Sequence, residues 1–393
     1  MNEDVVRNMS PEEDIDGLDN SEDLSSHTGG IKPWDPGKIR ITTKSFTLRE
    51  VVDQISDGDI DLSPDFQRAY VWKARQRTRL VESILLGIPL PAFYFDQSES
   101  GAYQVVDGVQ RLSTIALFMG DKHPLSSDDL EYLSDLHNLT YSQLDPSAVR
   151  RFRSTQIVVH IIEPQTPDEV KYDIFNRVNT LGSPLSPQEI RHAMSGQRSR
   201  TFIARLAEAE VFDAATERQY WRRLSNGDVE RDSARMANRE LVLRFCAFRT
   251  CSMEEYREFR SLDAFLMNFT KRIDRTAKQS SISDEVLSTL EADFHRAMEA
   301  AHGILGTAAF RRWPIGAERR GPINRAVFEA QANALADHSL DKMLPHSDAI
   351  VSAFRNAFLE PDYLKAVTVG TGDTNKVSYR LERTRAILAD ILK

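Results

Sequence analysis

The segment VVDGVQRLSTI (residues 105–115) sets an acid, a glycine, an amide and a guanidinium close together: Asp107, Gly108, Gln110 and Arg111. A strand that ends at Asp107, turns at Gly108 and starts a helix at about Val109 exposes backbone N–H groups at the positive end of that helix. Such a turn is a ready anion site. Arg111 in the first helical turn can fork onto a phosphate. Gln110 can donate to a phosphate or orient a water, and Asp107 can bind Mg²⁺ or act as a base. The same residues also fit plain structure, with Asp107 capping the helix and Arg111 in a surface ion pair.

Two further segments carry groups of the same kind. In PDFQRAYVW (64–72), Arg68 flanked by aromatics suits a phosphate, with Tyr70 or Trp72 against a base. The plainer alternative is core packing by Phe66 and Trp72, with Arg68 on the surface. In FNRVNTLGSPLSPQEIR (175–191), the Asn179 amide fits either a helix C-cap or a ligand contact near the Asp107 turn. Glu189 and Arg191 open the next helix and read as an intramolecular clamp or as site residues.

The elements that must position these residues are legible from pattern. IRITTKSF reads as a strand, and Thr47 with Glu50 has the capping-box spacing for a helix stopped by Gly58. A second helix runs from about Lys73 to Leu86. AFYFD and YQVVD form a hairpin around SESGA, and RLSTIALFMG is helical. Residues 121–150 read as a helix-and-loop insertion. TQIVVHII (155–162) is the best strand, with His160 read as a satisfied core histidine. PDEVKYDIFNRVNTLG is a helix with Pro167 near its start. Beyond Ser186-Pro187 the pattern is helical almost to the end, over about 187–195, 199–211, 233–250, 261–277, 284–302, 322–336, 344–357 and 376–392. The change of periodicity divides the chain into an acidic tail (1–30), an α/β domain (31–185) and an all-α domain (186–393).

Charge follows the same division. The 393 residues carry a formal charge of −9, but residues 1–30 hold nine acids and one base, so the remainder is nearly neutral. The tail has the composition of a disordered segment, either a solubilising leader or an arm that covers a basic cleft. Residues 191–239 hold ten arginines against seven acids, a mild basic excess that solvates a helix face or touches nucleic acid. No stretch has the length of a membrane span, and the acidic, polar start, without a basic or an apolar region, is not expected to act as a signal peptide. Cys246 and Cys251 are expected as reduced thiols in a cytoplasmic protein and are too few for a zinc site. Walker, dinucleotide-binding, zincin and nucleophile-elbow motifs are absent.

Four ordered motifs carry a resemblance: F-Q-R-x-Y-V-W, L-V-E-S-I-L-L-G-I-P-L-P, V-V-D-G-V-Q-R-L-S-T-I and F-N-R-V-N-T-L-G-S-P-L-S-P-Q-E-I-R. Over about residues 40–195 the chain resembles the N-terminal domain of GmrSD-type restriction endonucleases, in the ParB/sulfiredoxin-like superfamily. The resemblance implies a ParB/sulfiredoxin-like α/β core followed by helices. It implies a nucleoside triphosphate as ligand or substrate, with Mg²⁺, in a prokaryotic DNA restriction or antiphage system. In that family the D-G-Q-Q-R turn is tied to nucleotide hydrolysis or DNA cleavage, and it falls here on Asp107, Gly108, Gln110 and Arg111, with Val109 in place of the first Gln. Asp107, Gln110 and Arg111 become the candidate catalytic residues. Arg68, Gly108, Arg111 and Asn179 become the phosphate-binding set, with Tyr70 as a base-stacking residue. Many relatives carry a C-terminal HNH nuclease, and residues 200–393 show no such pattern, which implies a separate nuclease subunit or a sensor role. The alternative is a DNA-binding or regulatory module without turnover, in which the same turn grips DNA backbone or a modified base.

Overall fold

The computed structural model describes residues 35–62, 72–178, 186–223, 227–231, 235–275 and 281–393. The acidic segment 1–30 lies outside them, as do Arg68, Tyr70 and Asn179. The chain divides into two compact units, residues 33–185 in one and residues from 186 onward in the other.

In the first unit, β1 (Ile41–Thr47) leads to α1 (Leu48–Asp57), β2 (Ile60–Asp61), α2 (Ala74–Leu85), β3 (Phe93–Gln97) and β4 (Tyr103–Asp107). α3 (Val109–Met119), α4 (Pro146–Ser154), β5 (Gln156–Ile162) and α5 (Asp168–Val178) complete it. The strand order is β1-β5-β3-β4-β2. The sheet is mixed: β1–β5 and β3–β4 are antiparallel, while β3–β5 and β2–β4 are parallel.

Local chemistry sets the ends of these elements. Thr47 accepts from the Glu50 N–H and Glu50 reaches back to the Thr47 N–H, the reciprocal box expected from their spacing. The insertion between α3 and α4 is mostly short 3₁₀ turns. It is fastened by Glu82 of α2, whose carboxylate accepts the backbone N–H groups of Glu131, Tyr132 and Leu133.

One face of the sheet is apolar. Phe93, Phe95, Val105, Val159 and Ile161 pack there against Val51 of α1, Val81 and Ile84 of α2, and Leu112 and Ile115 of α3. The opposite face carries α5, whose Lys171 Nζ donates to Asp96 of β3 at 2.6 Å. β5 therefore alternates rather than being buried on both faces. His160 is consequently not the core histidine expected. It is half-exposed on the face away from the core, with Nδ1 2.9 Å from the Thr43 hydroxyl.

The second unit is mostly helical. It contains α6 (Pro187–Ala193), α7 (Gln197–Ala207), α8 (Glu210–Ala215), α9 (Ala237–Thr250), α10 (Met253–Arg257), α11 (Leu262–Asp274) and α12 (Asp284–Ala300). α13 (Arg325–Leu335), α14 (Leu340–Met343), α15 (Ser347–Ala357), α16 (Pro361–Thr368) and α17 (Thr374–Ile391) follow. The all-α expectation needs one correction: β6 (Trp221–Arg223) and β7 (Val229–Arg231) form an antiparallel hairpin. Its strands of three residues are too short to show a period in sequence. The expected helix over 199–211 is two helices, broken at Glu208 and Ala209. Cys246 is buried and Cys251 half-buried, both as free thiols.

An ion network runs through this unit's interior. Glu329 is 0% exposed and accepts from Arg380 Nε at 2.6 Å and Arg244 Nη1 at 3.3 Å. Arg244 also reaches Glu240 at 2.9 Å, and Arg325 and Arg191 lie 3.4 and 3.5 Å from the same carboxylate. Burial alone would raise the Glu240 pKa, but Arg325, Arg244 and Arg191 outweigh it and hold the group well below the usual carboxylate range. Truncating one member strands the others. Glu329→Ala is expected to lose about 3–5 kcal/mol in urea unfolding, because Arg380 is left buried without its acid and Arg244 keeps only Glu240. A loss under about 1 kcal/mol, the scale of an exposed pair, would show that the network is not a structural centre.

Candidate functional site

β4 delivers Asp107 to the end of the sheet and α3 begins two residues later. The joint is Gly108, at φ +100°. An L residue is strained in that conformation, and a second constraint adds to the first. A Cβ on residue 108 would lie 2.2 Å from Cδ1 of Phe93. Phe93 itself is fully buried. Both the backbone turn and the ring beneath it therefore demand glycine.

Arg111 lies on the same ring. Its guanidinium carbon is 4.1 Å from the Phe93 centroid. Nη2 donates to Asp107 Oδ2 at 2.7 Å and to the Ala92 carbonyl at 3.2 Å, while Nη1 donates to the Pro91 carbonyl. One side chain thus ties the first turn of α3, the end of β4 and the chain that leads into β3. Burial pushes the Asp107 carboxyl above its ordinary value, against the opposing pull of Arg111 and the Gly108 N–H. Burial likewise pushes Arg111 down, against Asp107. The pair is half-sheltered, with the Asp107 side chain 34% exposed and Arg111 13%.

α3 starts with a residue that has no side chain to cap it. α1, α4 and α6 begin instead with Thr47, Asp145 and Ser186, whose side chains accept first-turn N–H groups. The positive end of α3 is thus left to backbone N–H groups, beside a carboxylate whose charge is costly to bury. Gln110 is half-buried in the same turn. Val109 is 5% exposed and belongs to the α/β core. In this chain position 109 therefore points its side chain inward, and valine there removes no group from the outer side of the turn.

The chain was expected to bring Asp107, Gly108, Gln110 and Arg111 together, and they form one turn. Arg68, Tyr70 and Asn179 were expected beside it and lie outside the described residues. The sequence reading did not single out Phe93, one residue of the strand AFYFD. It also missed the carbonyls of Pro91 and Ala92 as partners of Arg111. Among the described residues, no three His, Cys, Asp or Glu side chains gather as a metal-ion cluster.

Residues 48–195 match the family model described as the GmrSD restriction endonuclease N-terminal domain. The GmrSD match spans the D-G-V-Q-R turn and ends just past α6, in the segment PQEIRHA. A solved structure described as the C2221 form of a Pnob8-like ParB-N domain is also similar, at 11% identity and a TM-score of 0.21, over 90% of this chain and 99% of that chain. A likeness that loose fixes no fold. No curated protein matches the chain.

Two other readings are resolved by the helical unit itself. Glu189 and Arg191 act as a clamp: Glu189 completes the α6 capping box with Ser186, and Arg191 bonds Gln188 and Asp263. The arginine excess of 191–239 is largely spent within the fold. Arg198 meets Asp284, Arg205 meets Glu291, Arg222 meets Glu230, Arg231 meets Asp213 and Arg239 meets Glu208. Arg200 caps the His192 and Ala193 carbonyls, and Arg218 lies over the Trp221 ring. Among the described residues no helix is long and apolar enough to cross a membrane.

The Phe93–Gly108 contact gives a direct check. Gly108→Ala is expected to cost more than about 2 kcal/mol in unfolding, from the left-handed backbone and the clash together. In a Phe93→Ala background its additional cost should shrink to about 1–2 kcal/mol, the backbone part alone. Equal costs in both backgrounds would contradict the contact.

Proposed function

We propose that the α/β unit binds and hydrolyses a nucleoside triphosphate within a prokaryotic DNA restriction or antiphage system. The reading is carried by one observation, the glycine-capped start of α3 with Asp107 at its mouth. First-turn N–H groups receive phosphate oxygens, as helix N-termini do in many phosphate sites. Asp107 supplies the carboxylate that orients the attacking water, and Gln110 orients it from the first turn. Arg111 is stapled to Asp107 and to carbonyls, so its part is to hold the acid in place and lend positive charge nearby. Arg68 and Asn179 are proposed as further phosphate contacts on the sequence reading alone.

Magnesium fits this donor set in one form only. A single carboxylate with no cluster around it among the described residues is not a dedicated cage, but Mg²⁺ is commonly held by one or two carboxylates plus nucleotide phosphates. Asp107 is the residue that would meet a nucleotide-borne ion, which would neutralise phosphate charge when bound. Catalysis by this chain's own residues is then positioning and charge stabilisation. The arginines paired within the helical unit give no added support to a DNA-gripping alternative.

Calorimetry with ATP, GTP, CTP and UTP in the presence of Mg²⁺ tests the binding half. One nucleotide is expected to bind at micromolar levels. Asp107→Asn, checked for unchanged melting, is expected to lower phosphate release by about a hundredfold. Absence of binding by all four, or full turnover in the folded variant, would remove the nucleotide reading.

A further inference from the structure

The register of the sheet places four residues in one row. Thr43 of β1 is the partner of His160 of β5, His160 is the partner of Tyr94 of β3, and Tyr94 is the partner of Asp107 of β4. The last pairing depends on a β-bulge. Phe95 pairs with Val105 and Tyr94 with Asp107, so β4 advances two residues, through Val106, for one of β3. A bulge of this kind turns over the residues beyond it, and it brings the acid of the turn into line with Tyr94.

Two members of the row, Tyr94 and His160, face away from the core, while the Asp107 side chain turns to Arg111 at the end of the sheet. Phe93, Phe95, Val159 and Ile161 point into the apolar cluster, so Tyr94 and His160, which alternate with them, point the other way. The two rings are 5.0 Å apart and inclined by 46°. Thr43 fixes the imidazole through Nδ1 at 2.9 Å. Both rings are half-exposed. Among the described residues, the Tyr94 hydroxyl and His160 Nε2 have no hydrogen-bond partner. α5 shelters the neighbouring row, where Lys171 bonds Asp96 two residues along β3.

We propose that Tyr94 and His160 form the nucleobase platform of the site. The inference rests on the nucleotide reading above and assigns the other end of the same ligand. With phosphates at the Asp107–Gly108 turn, the ribose spans one strand spacing and the base lies against the Tyr94 ring. Aromatic side chains on an open sheet face hold bases by stacking, which tolerates any base because each has a π-face. The Tyr94 hydroxyl and His160 Nε2 reach the base edge and supply the preference among nucleotides. Tyr70, the stacking residue expected from sequence, is the competing candidate.

The test measures Mg²⁺-dependent binding of the preferred nucleoside triphosphate and of inorganic tripolyphosphate by calorimetry. Wild type, Tyr94→Ala, Tyr94→Phe, His160→Ala and Tyr70→Ala are compared. Tyr94→Ala is expected to weaken the nucleotide about tenfold, the scale of one base–aromatic stack, and tripolyphosphate less than about twofold. Tyr94→Phe keeps the ring and is expected to keep the affinity while loosening the choice among nucleotides. The proposal is overturned if Tyr94→Ala leaves the nucleotide unchanged, if it weakens tripolyphosphate equally, or if the loss appears in Tyr70→Ala instead. A loss confined to a single-stranded oligonucleotide assigns the rings to DNA and overturns it as well. Wild type that binds tripolyphosphate as tightly as any nucleotide removes the platform and leaves the phosphate turn standing. Wild type that binds neither removes both.

Discussion

The Phe93 ring leaves no room for a side chain on residue 108, where a Cβ would sit 2.2 Å away. That contact and the positive φ together reserve the position for glycine and leave α3 without a side-chain cap, and Arg111 lies over the same ring. Arg111 then joins three pieces of chain that are distant in sequence: the approach to β3, the end of β4 and the first turn of α3. Asp107 is the remaining member. Burial raises its carboxyl above the ordinary value, against the pull of the guanidinium beside it. A carboxyl raised by burial beside a fixed cation is the kind of perturbed group that gathers at functional sites.

The helical unit solves a different problem with the same residue type. Two interior carboxylates, Glu240 and Glu329, serve Arg191, Arg244, Arg325 and Arg380. Such a network is poor evidence of net stability against an apolar core, but it makes each member hard to remove. Arg191 matters here because it stands in the segment where the GmrSD match ends. The last part of the matched segment is therefore the first anchor of the helical unit, α6. What looked in sequence like a continuation of the site motif is the footing of the next unit.

Much of the architecture was readable because it rests on local rules. The Thr47–Glu50 box, the Gly58 stop, the β3–β4 hairpin and the strand–glycine–helix turn all follow from neighbouring residues. The GmrSD resemblance of 40–195 stands in the matched segment 48–195. What escaped the reading is what depends on register and tertiary contact. Phe93 and Tyr94 are adjacent aromatics in AFYFD, and only the sheet shows that one underlies the turn while the other faces outward. His160 sits in an apolar run, so pattern alone buried it; the open outer face of β5 exposes it. The arginines of 191–239 looked like surface charge because their acids, such as Asp284 and Glu291, lie far along the chain.

The central claim is that the backbone of the first α3 turn receives phosphate. Hydrogen–deuterium exchange of the intact protein, followed by peptide mass analysis with and without saturating Mg²⁺–nucleotide, reads those N–H groups directly. The account predicts slowed exchange in the peptide that spans β4 and the start of α3, centred on Gly108 to Arg111. Unchanged exchange there, with the nucleotide bound and protection arising elsewhere in the chain, would contradict it.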